Sequence, residues 1–402
     1  PMSKAMLNAC DRLGMLVMDE AFDMWTQPKS DYDYAMHFPT WWERDIQAMV
    51  DKDYNHPCVI LYSIGNEIPE TGSPNGAAWG RKLAEKIRGL DGGRFVLNSV
   101  NGFVSVMNQL QTLMQDQASG DVNSMMADLS GMMKHVQSMD IVTESTAESF
   151  AAVDIAGYNY ADIRYVTDKK LFPNRIICGS ETFPRDIANN WMIVLDNGHV
   201  IGDFTWTGWD YLGEVGLGKV EYEDGGTPNA GGMLGSYPWH AAYCGDIDLI
   251  GNRRPASYYR EIVFGLRDRP YIAVQRPEHY GKKPVVTPWS WSDSISSWSW
   301  EGYEGKPVKI EVYSNAEEVE LLVNDQVIGK ADAGREHAFR AEFETTYRPG
   351  DITAVAYTNG RETGRYSLSS AGSGLNLSVE VDRSQLADDD ADLAFFAISL
   401  VD

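Results

Sequence analysis

The chain reads as α/β plus all-β. The expected architecture is a partial (β/α)8 TIM barrel of about six of its eight βα units, then an immunoglobulin-like β-sandwich and the start of another. Three observations carry this reading. Six short runs are continuously apolar rather than alternating, the pattern of parallel strands buried on both faces. Helical patterns separate most of them, as βα units require. Beyond residue 284 the pattern changes to alternation punctuated by turn dipeptides, as in a sandwich.

The strand-like runs fall at 15–19, 59–64, 94–100, 153–160, 175–180 and 200–206. A helix is expected at 3–13, ahead of the first. Residues 40–53 place Trp42, Ile46, Met49 and Val50 on one side of a helix, with Pro39 near its start. Helices are also expected at 78–90, 186–195 and 256–264. The Met-rich stretch 105–150, broken by Gly120 and Gly131, is longer than a barrel helix needs and reads as an insertion. Six strands where a barrel needs eight imply that the chain begins after the second barrel strand. A doubly wound open sheet is the competing architecture, but no Gly-rich phosphate loop follows any strand.

The alternating segments are VKIEVYS, VELLV, AFRAEFE and ITAVAYT, with turns at Asn324-Asp325, Pro349-Gly350 and Asn359-Gly360. These patterns set the expected limits: 1–268 for the barrel, 284–371 for the sandwich, and 372–402 for the start of a further β module. The Ser-Ser-Ala-Gly-Ser-Gly run at 369–374 reads as the linker before that module.

Composition excludes several classes. A net charge of −24 repels phosphate backbones and anionic lipid, so no nucleic-acid partner is expected. No run approaches the roughly 18 apolar residues of a membrane span, so no membrane insertion is expected. The four cysteines, Cys10, Cys58, Cys178 and Cys244, lack metal-type spacing, and Cys58 and Cys178 read as buried thiols. Tryptophan and tyrosine number 12 and 20, enough to supply flat faces for sugar rings besides those the core needs.

Two glutamates carry the chemical signal. Glu67 closes the apolar run VILYSIGNE, and Glu181 closes RIICGSE. A carboxylate inside a buried strand is costly to desolvate. At the C-terminal end of a barrel strand it sits where barrel enzymes keep their chemistry. Two carboxyl groups facing one cavity are the minimum needed to cleave a glycosidic bond. Glu67 in a partly apolar surround suits a general acid, and Glu181, if ionised, a nucleophile.

The segments DEAFDMW, HPCVILYSIGNE, VDIAGYNY, CGSETFPR and GDFTWTGWDYLGE, in that order, resemble glycoside hydrolase family 2 over residues 1 to about 268. The stretch WEGYEGKPVKIEVYSNAEEVELLVN resembles the sandwich that follows the barrel in β-galactosidase-type members. The resemblance implies a retaining exo-glycosidase acting on terminal β-linked sugars, with β-galactosides the expected substrates. It assigns Glu67 as acid/base, Glu181 as nucleophile, Asn66 as a contact to the sugar hydroxyl beside the anomeric carbon, and Tyr160 as a partner of the nucleophile. Trp206 becomes the aromatic platform, and Asp23, Trp25, Trp209 and Asp210 are further pocket candidates.

The family's histidine-containing segment ahead of Pro1 is not in the chain. In its metal-dependent β-galactosidases a Glu and a His after the DEA motif bind magnesium. Met24 and Thr26 stand there, so no catalytic metal of that type and no other cofactor is expected. The Asn-x-Lys pair of β-glucuronidases is absent, which argues against uronic acids. The expected partner is thus a β-glycoside from an oligosaccharide or polysaccharide, with homo-oligomer formation left open. Localisation leans to a bacterial secreted or envelope protein, with the cytoplasm as the alternative.

Three alternatives remain at this level. One is a β-mannosidase or other β-glycosidase of the same family. Another is a carbohydrate-binding barrel without turnover. In the last, Trp289, Trp291, Trp298 and Trp300 form a sugar platform on the sandwich.

Overall fold

The computed structural model describes residues 1–114, 129–222, 235, 237–388 and 392–402. Part of the Met-rich stretch, Gly120 included, lies outside the described residues. The chain divides into two compact units, residues 1–256 with 283–291, and residues 257–282 with 292–402.

The first unit opens with α1 (Lys4–Leu13), capped by the Ser3 side chain and ended by Gly14 in the left-handed conformation. Six strands follow: β1 (Val17–Glu20), β2 (Val59–Asn66), β3 (Phe95–Val100), β4 (Ile155–Asn159), β5 (Ile177–Thr182) and β6 (Val200–Thr205). They pair in chain order, all parallel, and curl into a half-barrel. The expected six strands are all present. The first starts two residues later than read, because Met15 and Leu16 are exposed in the turn after Gly14.

Helices α2 (Phe38–Asp53) and α3 (Pro74–Leu90) connect the first three strands. Their apolar stripes supply Phe38, Ile46, Val50, Leu83 and Ile87, which join Val59, Tyr62, Ile64 and Val96 in one core cluster. Helices α4 (Gly102–Met114), α5 (Leu129–Gln137) and α6 (Asp140–Ala151) lie between β3 and β4, and α7 (Ile187–Asp196) joins β5 to β6. On the strands, Ile60, Phe95, Ile201 and Phe204 are exposed. The continuous apolar runs therefore overstate burial here.

The second unit opens in α8 (Pro255–Val263). It builds two four-stranded sheets from β7 (Tyr271–Gln275), β8 (Ser294–Ile295), β9 (Pro307–Tyr313), β10 (Glu318–Val323), β11 (Gln326–Asp332), β12 (Arg340–Thr346), β13 (Asp351–Thr358) and β14 (Arg361–Ser369). The sheet orders are β8-β7-β9-β12 and β11-β10-β13-β14. The period-2 pattern of β10 buries Val319, Leu321 and Val323, which join Ile272, Val308, Ile310, Ile352 and Ala354 in the core. Asn324-Asp325 and Asn359-Gly360 take positive φ at both positions, the two-residue turn whose twist matches the flanking strands. At Gly360, φ is +71°, a conformation costly for most side chains.

The units divide elsewhere than at 268 and 284. The run Tyr271–Gln275 pairs with β9, so the sandwich begins before the alternating pattern does. Residues 283–291 go with the first unit, where Pro284–Val285 pairs with Glu221–Tyr222. The chain closes in an exposed hairpin, β15 (Asn376–Val381) and β16 (Phe396–Val401).

The alternative reading of a tryptophan platform is not supported by the packing. Trp298 and Trp300 belong to the core of the second unit, whereas Trp289 and Trp291 are buried residues of the first. Their indoles bury too much apolar area to remain at the surface.

Candidate active site

The C-terminal ends of the strands deliver the polar residues. Glu20 ends β1, Asn66 ends β2 with Glu67 next, and Asn101 follows β3. Asn159 ends β4 with Tyr160 next, Glu181 is the penultimate residue of β5, and Trp206 follows β6. Glu67 and Tyr160 hold positive φ, 48° and 54°. Such backbone is strained for non-glycine residues and concentrates at functional positions.

Asn159 lies between the two carboxyl groups. Its Nδ2 is 3.3 Å from Glu67 Oε1, 3.2 Å from Glu181 Oε2 and 2.9 Å from Asn66 Oδ1. One amide nitrogen reaches both carboxylates, so those two oxygens are no further apart than twice that reach. The amide's own orientation is set by Ser180, whose Oγ donates to Asn159 Oδ1 at 2.6 Å. Asn101 Nδ2 donates to Glu67 Oε1 at 2.8 Å. The Tyr160 hydroxyl donates to Glu181 Oε1 and accepts from Trp289 Nε1 at 2.8 Å.

Burial pushes both carboxyls above the ordinary range. For Glu67 the hydrogen bonds from Asn101 and Asn159 oppose that rise. Glu181 is pushed up to about 8 by burial and then by the charge of Glu67, while the Tyr160 hydrogen bond pulls it down. Two close carboxyls titrate as a pair, with one proton shared between their two apparent pKa values. Burial also drives Tyr160 well above its normal value, so its hydroxyl stays a neutral donor.

The loop after β1 is held from two sides. Lys29 Nζ donates to Asp23 Oδ1 at 2.7 Å and to the Asn66 carbonyl at 2.8 Å. Asn66 Nδ2 is 3.2 Å from the same Asp23 oxygen. Thr26 donates through both its amide and hydroxyl, and Gln27 through its amide, to Glu70 Oε1, each at 2.7 Å. Glu20 is pushed up by burial and accepts from Ser63 and Ser99 at 2.6 and 2.9 Å.

Most of the expected site residues converge here: Glu67, Glu181, Asn66, Tyr160 and Asp23. Trp206 is half-buried, with its Nε1 donating to the Tyr211 hydroxyl at 3.0 Å. Trp209 is exposed. Two expectations are corrected. Trp25 is fully buried, with its Nε1 donating to the Ile64 carbonyl at 3.0 Å, so it packs beneath the loop rather than lining a pocket. Asp210 is buried and its Oδ1 accepts the amides of Tyr243 and Cys244 at 2.8 and 3.3 Å, which ties loops together.

Sequence reasoning missed Asn101, Asn159 and Gln137, and named Trp289 only in the alternative sugar platform. Asn159 lies inside the quoted VDIAGYNY motif, one residue before the tyrosine that drew attention. Asn101 and Gln137 carried no local signal.

Among the described residues, Asp11, His56 and Cys58 bring metal-type ligand atoms within 4.8 Å of one another, beside the N-terminal end of β2. Asp11 there already accepts the Cys58 amide at 2.9 Å and pairs with His56 Nδ1 at 2.7 Å. All four cysteines are buried and free. Among the described residues no helix is long and apolar enough to cross a membrane.

Paired carboxyls at the C-terminal ends of parallel strands are the arrangement that barrel glycosidases use. The chain belongs to glycoside hydrolase family 2. The family model described as "Glycosyl hydrolases family 2, TIM barrel domain" matches residues 1–157, and one for a domain of unknown function (DUF4982) matches 305–364. A solved family 2 member from Bacteroides cellulosilyticus is 35% identical with a TM-score of 0.81, covering 100% of this chain and 46% of its own. The β-galactosidase BoGH2A of Bacteroides ovatus is 25% identical over 462 residues, covering 100% of this chain and 47% of that enzyme. A putative β-glucuronidase of Formosa agariphila is 24% identical, covering 90% of this chain and 32% of that protein. The chain thus spans half or less of the length of these relatives.

Proposed function

We propose that the protein to which this chain belongs is a retaining exo-acting glycosidase of terminal β-linked sugars, with β-galactosides as its substrates. The observation that carries the reading is Asn159 Nδ2 within 3.3 Å of both Glu67 and Glu181. Two carboxylate oxygens within that reach of one nitrogen fit the separation of about 5–5.5 Å used by retaining enzymes.

In this reading Glu181 attacks the anomeric carbon while Glu67 protonates the leaving oxygen. Glu67 then takes a proton from the water that hydrolyses the glycosyl–enzyme ester. The shared proton starts on Glu67 in this reading, and the Tyr160 hydroxyl, which donates to Glu181, stabilises the nucleophile's anion. Asn66 and Asp23 bind sugar hydroxyls, Trp206 offers an aromatic face, and Trp209 flanks it. The resemblance to the Bacteroides ovatus β-galactosidase supports the galactose preference. Glu20, Asp23, Glu67 and Glu181 make the pocket acidic, which favours neutral sugars over uronic acids. The terminal hairpin, residues 372–402, is proposed as the start of a further β module.

The test uses the full-length protein and a panel of nitrophenyl β-glycosides. Release from the β-galactoside, and an adduct of a 2-deoxy-2-fluoro-galactoside mapped to the peptide carrying Glu181, are expected. Glu181→Gln should lose at least about a thousandfold in kcat. No release from any sugar would favour a binding protein, and release only from the mannoside would move the substrate assignment.

A further inference from the structure

The acid/base carboxyl is oriented by a helix that the barrel pattern does not call for. Glu67 Oε1 accepts from Asn101 Nδ2, but an asparagine amide can present either end. Its orientation is set by two donors to Oδ1, one of them from Gln137, the last residue of α5. Gln137 Nε2 donates to Asn101 Oδ1 at 2.9 Å, and the Phe103 amide donates to the same oxygen at 3.0 Å. With Oδ1 taken by two donors, only the Nδ2 end remains to face Glu67.

The same Gln137 Nε2 is 3.2 Å from the carbonyl of Asn159, the residue that supplies the other amide on Glu67. Gln137 is buried, at 1% exposure. Its main-chain carbonyl accepts from Arg164 Nη1 at 2.8 Å, and Arg164 pairs with the buried Asp168 at 2.9 Å. Space for it is provided by Gly102, where any side chain would overlap Gln137 Oε1 and Val142 Cγ1. A buried amide whose Nε2 meets two acceptors is restricted in its rotamer.

We propose that Gln137 is a positioning residue for the acid/base step, acting through Asn101 to present N–H donors to Glu67 as that carboxyl gives up its proton. The inference rests on the acid/base reading of Glu67 and adds to it a dependence on the segment between β3 and β4.

The test uses the full-length protein carrying Gln137→Met, which keeps the volume and removes the N–H donor. Substrates are β-galactosides with leaving groups from 2,4-dinitrophenol, which needs no acid assistance, to poor ones such as methanol. The fall expected on poor leaving groups is about 5- to 10-fold, the size of one neutral hydrogen bond, with little change on the dinitrophenyl substrate. The alkaline limb of kcat/KM moves to higher pH, because the Glu67 anion loses part of its stabilisation. Gln137→Glu attracts the Asn101 amide hydrogens and turns its oxygen to Glu67, so it should do worse than Met on the same substrates.

Glu67→Ala with added azide runs alongside. If Glu67→Ala shows leaving-group dependence and azide rescue while both Gln137 variants lose activity uniformly or not at all, the positioning role is overturned. If Glu67→Ala shows neither, the acid/base reading itself fails, and this inference with it. Should Gln137→Met fail to fold, Gln137→Glu and its pH profile decide alone.

Discussion

Asn159→Asp is the substitution that probes the pair most directly, because it swaps one NH2 for an oxygen and changes little else. The nitrogen serves Asn66, Glu67 and Glu181 at 2.9, 3.3 and 3.2 Å. As Glu67 gives up its proton, negative charge grows at the oxygen to which that nitrogen donates. A hydrogen bond to a charged group is worth about 1.5–3 kcal/mol, and two acceptors are affected, so a loss of about 3 kcal/mol, roughly a hundredfold in kcat/KM, is expected at neutral pH. An ionised Asp at 159 would face Glu67 at the same short range, a repulsion of about 5 kcal/mol at an effective dielectric of 20. The new carboxyl therefore stays protonated well above its usual range and can still turn one O–H toward a carboxylate. Activity should recover as pH falls through that raised pKa, which moves the optimum of the variant to lower pH. The assay is the pH dependence of kcat/KM on nitrophenyl β-galactoside with the full-length protein. A variant within about threefold of the parent at neutral pH, with an unshifted profile, would refute the bridging role of Asn159.

Other substitutions separate chemistry from packing. Tyr160→Phe removes the hydroxyl that donates to Glu181, so the carboxyl should rise further above about 8 and the acid limb of kcat/KM should move to higher pH; an unmoved limb would show that Tyr160 does not tune the nucleophile. Trp25→Ala empties a fully buried site and should cost about 3–5 kcal/mol in denaturant unfolding; a loss under about 1 kcal/mol would contradict its place in the core. Trp206→Ala, at a half-buried position, should instead raise KM about tenfold with a much smaller stability loss; unchanged KM would remove it from the sugar platform.

The legible part of the fold follows from burial. Parallel strands covered by helices must be apolar along most of their length, so the strands from Val17 to Thr205 appeared as short continuous runs. The sandwich was visible through its period of two and its turn dipeptides, but Tyr271–Gln275 stayed hidden. Five residues with one polar end carry too little periodicity, and only pairing with β9 makes them a strand. Trp25 was misplaced because a tryptophan beside an acidic residue reads the same in sequence whether its ring faces a pocket or the core.

By itself the sequence pointed to the two candidate carboxyls, because an acidic residue closing an apolar run is costly to bury and conspicuous for that reason. Glu67 and Glu181 could be named from their positions, and Asn66 and Tyr160 from the family motifs that contain them. The tertiary structure decided what surrounds them. Asn101 and Gln137 are polar residues of kinds common throughout the chain, and nothing local marks them, while Asn159 and Trp289 lie in marked segments that did not reveal their partners. The parallel order β2-β3-β4-β5 brings the ends of distant strands within hydrogen-bond reach. Whether a buried carboxyl there is held as acid or anion depends on which donors meet it, and those donors are set by packing across the sheet rather than by neighbours along the chain.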